Sequence, residues 1–310
     1  MTARRERQRG AALLTAMVIV TLVATLAAAM VWQQWRAVQV EAGERARMQA
    51  AWILSGAIDW ARLILREDAR SGSSDSLDEP WATPLAETPL STFLSVDKEN
   101  TDDAPEAFLS GVITDAQARY NLANVFNPET GKVAPAELAA LARLCTAAGV
   151  SASVAQRLAD GLAAARAGAE DAPLLPRSVR QLAWLGVDAE TVRQLAPYLV
   201  ILPARVPINL NTASKEVIAA ATGMDAGDAE RLVQIRQQTP FRTLADAKKH
   251  LPPAFVLSPN QAGVGSQFFE VRGQLRLGDR VLQERSLVQR RNPEVVTIQR
   301  ERVSLNDAGS

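Results

Sequence analysis

The sequence predicts an α+β fold. A long N-terminal helix packs on a small antiparallel sheet, and a large all-α domain containing a helix-hairpin-helix-like unit is inserted into that sheet. Three observations predict it: an uncharged run that continues into an amphipathic segment, a middle block patterned for helices, and strand-like alternation on both sides of that block. At 310 residues, 47% apolar and 22% charged, the chain is long enough for two domains. Its formal net charge of zero gives no global pull toward nucleic acid. One cysteine (Cys145) and one histidine (His250) exclude an intramolecular disulfide and most metal-ligand clusters and His-based triads. That argues against an enzyme.

The helix comes first. Arg4, Arg5, Arg7 and Arg9 precede a stretch without a charged residue from Gly10 to Trp35. As a helix, Ala11 to Trp32 would be about 33 Å long, enough to cross a bilayer core, and the preceding arginines place the N-terminus in the cytoplasm. Three outcomes compete: a secretory signal cut after Ala29, a permanent anchor, or removal of the basic leader after Gly10 with the helix retained. Neither proline nor a turn cluster interrupts Gln33 to Arg66, where Met48, Ala51, Leu54, Ile58, Ala61 and Leu65 recur at spacings of three and four. The pattern predicts one helix of about 56 residues, weakened locally by Gly43 and Gly56.

A short basic leader ending in glycine, an uncharged helix and an amphipathic extension resemble a type IV prepilin or a type II secretion pseudopilin. The resemblance implies cleavage by prepilin peptidase between Gly10 and Ala11 and methylation of Ala11. That family usually carries Glu at the fifth mature position, which here is Thr15; the K-type minor pseudopilins are similar in lacking it.

Beyond Arg66, the serines of SGSSDS and Pro80, Pro84 and Pro89 mark an exposed acidic connection; Glu67 to Glu106 holds eleven acidic and two basic residues. "GVITDAQARYNLANV" predicts strands over Gly111–Thr114 and near Arg119–Val125 and resembles the K-type family's ITDAQGRFNLNN. Helical patterns follow at Pro135–Ala148, Ser151–Ala167, Ser178–Leu185, Asp188–Leu199, Ser214–Thr222, Ala226–Gln237 and Thr243–Leu251. A Gly–apolar–Asp–Ala pattern recurs 37 residues apart, from Gly186 and from Gly223. After Gly265 the period becomes two, with Phe269, Val271, Leu275 and Leu277 on one face, a turn at Gly278-Asp279, and a last strand after Pro293.

Ile208 to Leu251 resembles the helix-hairpin-helix of membrane-tethered DNA receptors, which is the alternative reading. Such a hairpin offers turn N–H groups to a phosphate. Here the turn is Gly223-Met224-Asp225, with Asp228 and Glu230 in the next helix, and carboxylates there repel a phosphate. Lys215, Arg231, Lys248 and Lys249 do not offset them at the turn. Asn209, Asn211 and Thr212 are expected to close a turn and cap the next helix, Cys145 to be a core residue, and His250 to be solvated. K-type relatives resemble one another in binding calcium near a "GAED" segment. The corresponding candidates are Asp160, Glu170 and Asp171, fewer than the six to eight oxygens calcium takes.

The K-type resemblance implies a leader at 1–10, a membrane-spanning helix at 11–32 and its amphipathic continuation at 33–66. It further implies a split strand core at 67–125 and 265–310 around a helical insertion at 126–264. The expected protein is a non-enzymatic minor pseudopilin, without a cofactor unless calcium binds. It would sit in the inner membrane with its bulk periplasmic and help initiate a pseudopilus from its tip. Its partners would be the I and J minor pseudopilins, met through the stripe from Met48 to Leu65, together with the assembly platform and prepilin peptidase; no nucleic acid is expected.

Overall fold

A computed structural model describes residues 3–93, 107–278, 280–291 and 293–303, with the backbone alone at 3–11, 71 and 303. Helix α1 runs unbroken over Ala3–Ser71, so the expected helix also takes in the leader and five residues beyond Arg66. At Gly56 an added Cβ would meet nothing within 4 Å, so that glycine is a weak point and not a packing notch. The chain divides into two compact units, Met1–Ile53 and Leu54–Ser310.

From Leu13 to Val40 in the first unit the large apolar side chains are exposed around the whole helix: Leu13, Met17, Leu26 and Trp32 each show more than half their surface. The hydroxyls of Thr21 and Thr25 donate to the carbonyls of Val18 and Leu22, each at 2.9 Å. Polar groups in this stretch are thereby satisfied by the helix itself, as an apolar solvent requires.

In the second unit the strands are β1 (Leu85–Pro89), β2 (Ala107–Asp115), β3 (Tyr120–Asn121), β4 (Leu199–Val200), β5 (Ile208–Asn209), β6 (Ala262–Gly263), β7 (Phe268–Leu277), β8 (Arg280–Arg291) and β9 (Glu294–Val303). The helices are α2 (Pro135–Ala147), α3 (Ser153–Ala167), α4 (Ala189–Leu195), α5 (Lys215–Thr222), α6 (Ala226–Gln238) and α7 (Leu244–Lys248). The five-stranded sheet has the order β1-β2-β7-β8-β9, antiparallel throughout. Strands β2 and β7 pair from Ala107↔Leu277 to Asp115↔Phe269. The chain thus leaves the sheet at Asp115 and rejoins the same ladder at Phe268, with α2 to α7 between.

Two cores result. Ile58, Ala61 and Leu65 of α1 pack with Trp81, Ile113, Phe269, Val271, Val288 and Val295. Each large side chain so buried contributes about 1.5–3 kcal/mol, and Trp81 meets Phe269 edge to face at 5.2 Å. The helical core is built on Leu141, Leu144, Cys145, Leu158, Leu182, Leu195, Ile218 and Leu232. It begins at Tyr120, before residue 126, because Tyr120, Leu122 and Val125 turn into it. Phe268, packing with Ala116, Val200, Leu202 and Val206, joins the sheet's other face to the helical domain.

Several expected elements are corrected. Of Arg119–Val125 only Tyr120–Asn121 is strand. Asp115 accepts from the Gln117 N–H at 2.7 Å and Asn121 from the Ala123 N–H at 3.1 Å, so two 3-10 turns flank the two-residue β3. Ser178–Leu185 tightens to a 3-10 segment over Val179–Leu185. Helix α4 ends at Leu195, because Pro197 has no N–H to continue the helical ladder, and Leu199–Val200 instead pairs in parallel with Tyr120–Asn121. Helix α7 covers only Leu244–Lys248.

The repeated turn is present three times. Gly149, Gly186 and Gly223 stand 37 residues apart with φ of 75°, 76° and 75°, the left-handed conformation glycine adopts without a Cβ clash. A buried Val150, Val187 or Met224 follows each glycine. Asp188 then caps α4 at the Thr191 N–H (2.9 Å) and Asp225 caps α6 at the Gly227 N–H (2.7 Å).

Candidate assembly site

Gly10 and Ala11 lie in the backbone of α1, and the side chain of Ala11 is outside the described residues. Thr15 is exposed on the same helix. The stripe expected to meet partners is corrected by its own packing. Met48 is exposed, but Leu54, Ile58, Ala61 and Leu65 are buried and Ala51 is half-buried. The helical periodicity is real, and from Ile58 onward the surface it marks is used by the chain's own sheet.

The open apolar surface of α1 lies elsewhere. Trp52 is 79% exposed, Trp60 47% and Leu63 49%. Trp60 stacks edge to face on Phe93 at 5.9 Å. Ala57, Trp60 and Ile64 line an apolar groove of about 260 Å³ together with Trp81 and Leu85. Trp60 and Leu63, three apart, repeat on a helix face as legibly as the buried stripe does; nothing local says which face the sheet takes.

Asn209, Asn211 and Thr212 do not cap a helix; Ser214 caps α5, accepting from the Val217 N–H. Asn209 instead donates to the Asp115 carboxylate (2.9 Å), the Asp75 carbonyl (3.0 Å) and the Ser266 hydroxyl (3.0 Å). The Thr212 and Ser266 hydroxyls each donate to Asp115 at 2.6 Å. Asn211 clasps both the N–H and the carbonyl of Phe241 at 2.9 Å. Burial pushes the Asp115 carboxyl up, against the lowering effect of Ser266, Thr212, Asn209 and the Gln117 N–H. This fully buried cluster ties the helical domain to the ends of β2 and β7 and to the chain leaving α1.

The acidic connection is partly internal. Asp68, Asp75 and Glu79 offer oxygens within 4.8 Å of one another. Arg290 answers two of them, donating to Asp68 and to Asp75 at 2.7 Å each, while Glu79 accepts from the Trp81 indole at 2.6 Å. Burial together with Glu79 and Asp75 raises the Asp68 carboxyl to about 6 against the pull of Arg290. The calcium candidates are apart from this cluster. Asp160 and Asp171 line one depression beside Gln156 and Trp184, and Glu170 is not among its walls.

Three cations of the Ile208–Leu251 stretch are paired. Lys215 meets Glu230 at 2.7 Å, Arg231 meets Asp228, and Lys249 meets Asp246 at 2.8 Å. The N-terminus of α6 is occupied by the Asp225 carboxylate. A phosphate would compete with these groups, so the geometry lacks what the DNA-receptor alternative needs. Cys145 is buried in the helical core, its thiol pushed up to about 11 by burial, and His250 is exposed.

A solitary apolar helix continuing onto a five-stranded antiparallel sheet, with a helical domain set between two paired strands, defines a pseudopilin carrying an inserted domain. Family models described as type II secretion system (T2SS), protein K match residues 118–204 and 208–263. The type II secretion system protein K of Pseudomonas aeruginosa is 31% identical over 304 residues, covering 89% of this chain and 87% of the relative. That of Pectobacterium carotovorum is 28% identical over 336 residues, covering 96% and 97%. The fold is similar to a chain in the crystal structure of the GspK-GspI-GspJ complex from the enterotoxigenic Escherichia coli Type 2 Secretion System. The TM-score is 0.65 at 20% identity, over 84% of this chain and 98% of that one. The chain belongs to the type II secretion system protein K family, the K-type minor pseudopilins, and its role is that of a minor pseudopilin in type II protein secretion. Its apolar N-terminal helix fits a single-pass membrane anchor.

Proposed function

We propose that this chain is the tip subunit of the periplasmic pseudopilus and helps initiate its assembly for export of folded proteins. It is a structural component without catalytic activity, held in the inner membrane with its N-terminus cytoplasmic and its bulk periplasmic. The observation that carries the reading is the helical domain on the sheet face opposite α1. A block of that size would crowd the lateral packing of a repeating shaft and fits at an end. Thr15 supports the same place. A carboxylate at the fifth mature position, unpaired inside the apolar stretch, would carry a desolvation cost, and a leading subunit has no neighbour ahead to pair with it. The partners are the I and J minor pseudopilins, consistent with the complex in which the similar fold was solved, and the inner-membrane assembly platform. The contact surface moves from the buried stripe to the open face around Trp60 and Leu63.

Processing is assigned to prepilin peptidase, between Gly10 and Ala11, with methylation of Ala11. Mass spectrometry of the mature N-terminus tests it: a methylated Ala11 is expected, and Gly10→Val should block cleavage by filling the space the protease needs. A mature start at Met30 would overturn this assignment. Cross-links from Trp60 and Leu63 to the I and J partners are expected; regular spacing of this chain along the shaft would defeat the tip assignment. No cofactor is assigned, since calcium at Asp160 and Asp171 would need further oxygens.

A further inference from the structure

Between the outer face of the sheet and the helical domain lies a cleft of about 770 Å³, with Ser110, Val112 and Arg272 in its floor and Val179, Arg193 and Pro197 in the facing wall. The floor is built around a carboxylate that strand alternation alone would leave in water. Glu270 is 3% exposed and receives three guanidiniums: Arg119 at 3.0 Å, Arg272 at 2.7 Å and Arg285 at 2.8 Å. Burial by itself would raise this carboxyl, and the three arginines outweigh it, holding it at about 2. At this cluster one negative charge faces three positive ones; of the cleft's other carboxylates, Glu284 is paired with Arg300 at 2.9 Å and Asp115 is held by Asn209, Thr212 and Ser266. Each guanidinium has five N–H donors in a planar fork and spends one of them on Glu270. Arg272 and Arg285 keep 58% and 32% of their side chains exposed, and both line the cleft.

We propose that this cleft docks an acidic peptide segment of a protein partner, its carboxylates taking the remaining donors of Arg272, Arg285 and Arg119. A peptide fits better than a compact anion because the cleft is long enough to carry apolar contacts as well, at Val112, Val179 and Pro197. It fits better than a duplex because the wall facing the arginines leaves no open convex surface for a double helix.

The test uses the full chain in detergent micelles and fluorescence anisotropy of labelled octaglutamate, with octaserine and a short DNA duplex as competitors. Saturable octaglutamate binding that weakens from low to physiological salt is expected. Arg272→Glu should lower the affinity by roughly tenfold or more, since it removes charge-assisted donors and adds a repelling carboxylate. Because Arg119 and Arg285 still hold Glu270, that variant should stay folded at a lowered melting temperature, and binding is compared well below it. Val112→Glu, which plants a carboxylate directly across the strand pair from Arg272 and takes up its free donors, should weaken binding in the same way. Arg242→Glu, at an exposed arginine outside the cleft, should leave it unchanged. The proposal is overturned if octaglutamate does not bind at low salt, if both cleft variants bind as wild type, if Arg242→Glu weakens binding equally, or if the duplex displaces the peptide at lower concentration.

Discussion

Along helix α1, the segment from Leu13 to Val40 keeps large apolar side chains exposed all round, whereas from Leu54 to Leu65 one stripe is buried and Trp60 and Leu63 stay open beside it. The two segments ask for different surroundings. A helix apolar on every side is satisfied by lipid, which needs no particular geometry. A helix that already spends one face on its own sheet and still exposes tryptophan beside a groove is matched by a shaped protein surface.

The sharpest way to break that comparison is one charge on each face. Ile58→Asp would bury an unpaired carboxylate among Leu65, Trp81 and Val271, and should cost more than about 4 kcal/mol, enough to unfold the sheet domain. Trp60→Asp, on the open face, should change the unfolding free energy by less than about 1 kcal/mol while abolishing co-purification with the partner minor pseudopilins. Urea titration and pull-down of the two variants decide it. If Ile58→Asp folds normally and only the complex is lost, the stripe is the assembly surface after all.

A second contrast concerns the two faces of the sheet. The α1 side is joined by apolar packing; the helical domain is joined largely through the polar cluster of Asn209, Thr212, Asp115 and Ser266. Asn209→Ala leaves the buried Asp115 short of a donor and the Asp75 carbonyl without its side-chain partner. It should therefore destabilise by about 2–3 kcal/mol. The loss should appear as easier proteolysis at the junctions near Asp115 and Ser266, with the helical core still protected. A fully cooperative loss of both parts would show that the cluster is not the seam between them.

What could be read in advance was local. The apolar run, the helical period through Leu65, the alternation after Gly265 and the Gly–apolar–Asp turns each depend on residues within a few positions, and the fold follows from their order. The third turn, at Gly149, lacks the full pattern because Ser151 stands where the other two have aspartate. What stayed hidden depends on distance. Asn209 reads as a helix-capping residue until it is seen 94 residues from Asp115 and 134 from Asp75. Glu270 reads as a solvent-facing strand residue until Arg119, 151 positions away, closes over it. Which face of α1 the sheet would cover was undecidable for the same reason, since both faces carry apolar residues at helical spacing.

The smallest effect separates two buried carboxylates by pH. Burial, Glu79 and Asp75 raise Asp68 to about 6 from an ordinary value of 3.8, against the pull of Arg290. Between those values the folded chain binds more protons than the unfolded one, so stability rises as pH falls from about 6 toward 3.8. Glu270 has the opposite sign. Burial would raise it, but Arg119, Arg285 and Arg272 hold it at about 2 below an ordinary 4.5, so its contribution is complete above 4.5 and is lost as pH falls toward 2. The melting temperature of the full chain should therefore climb on mild acidification and then drop. Asp68→Asn should flatten the climb and leave the drop, because the Asn side chain can still accept from Arg290 but takes up no proton. Glu270→Gln should flatten the drop and leave the climb. If both variants retain the wild-type profile between pH 7 and 3, the ion pairs on the two faces of the sheet are not what sets its response to acid.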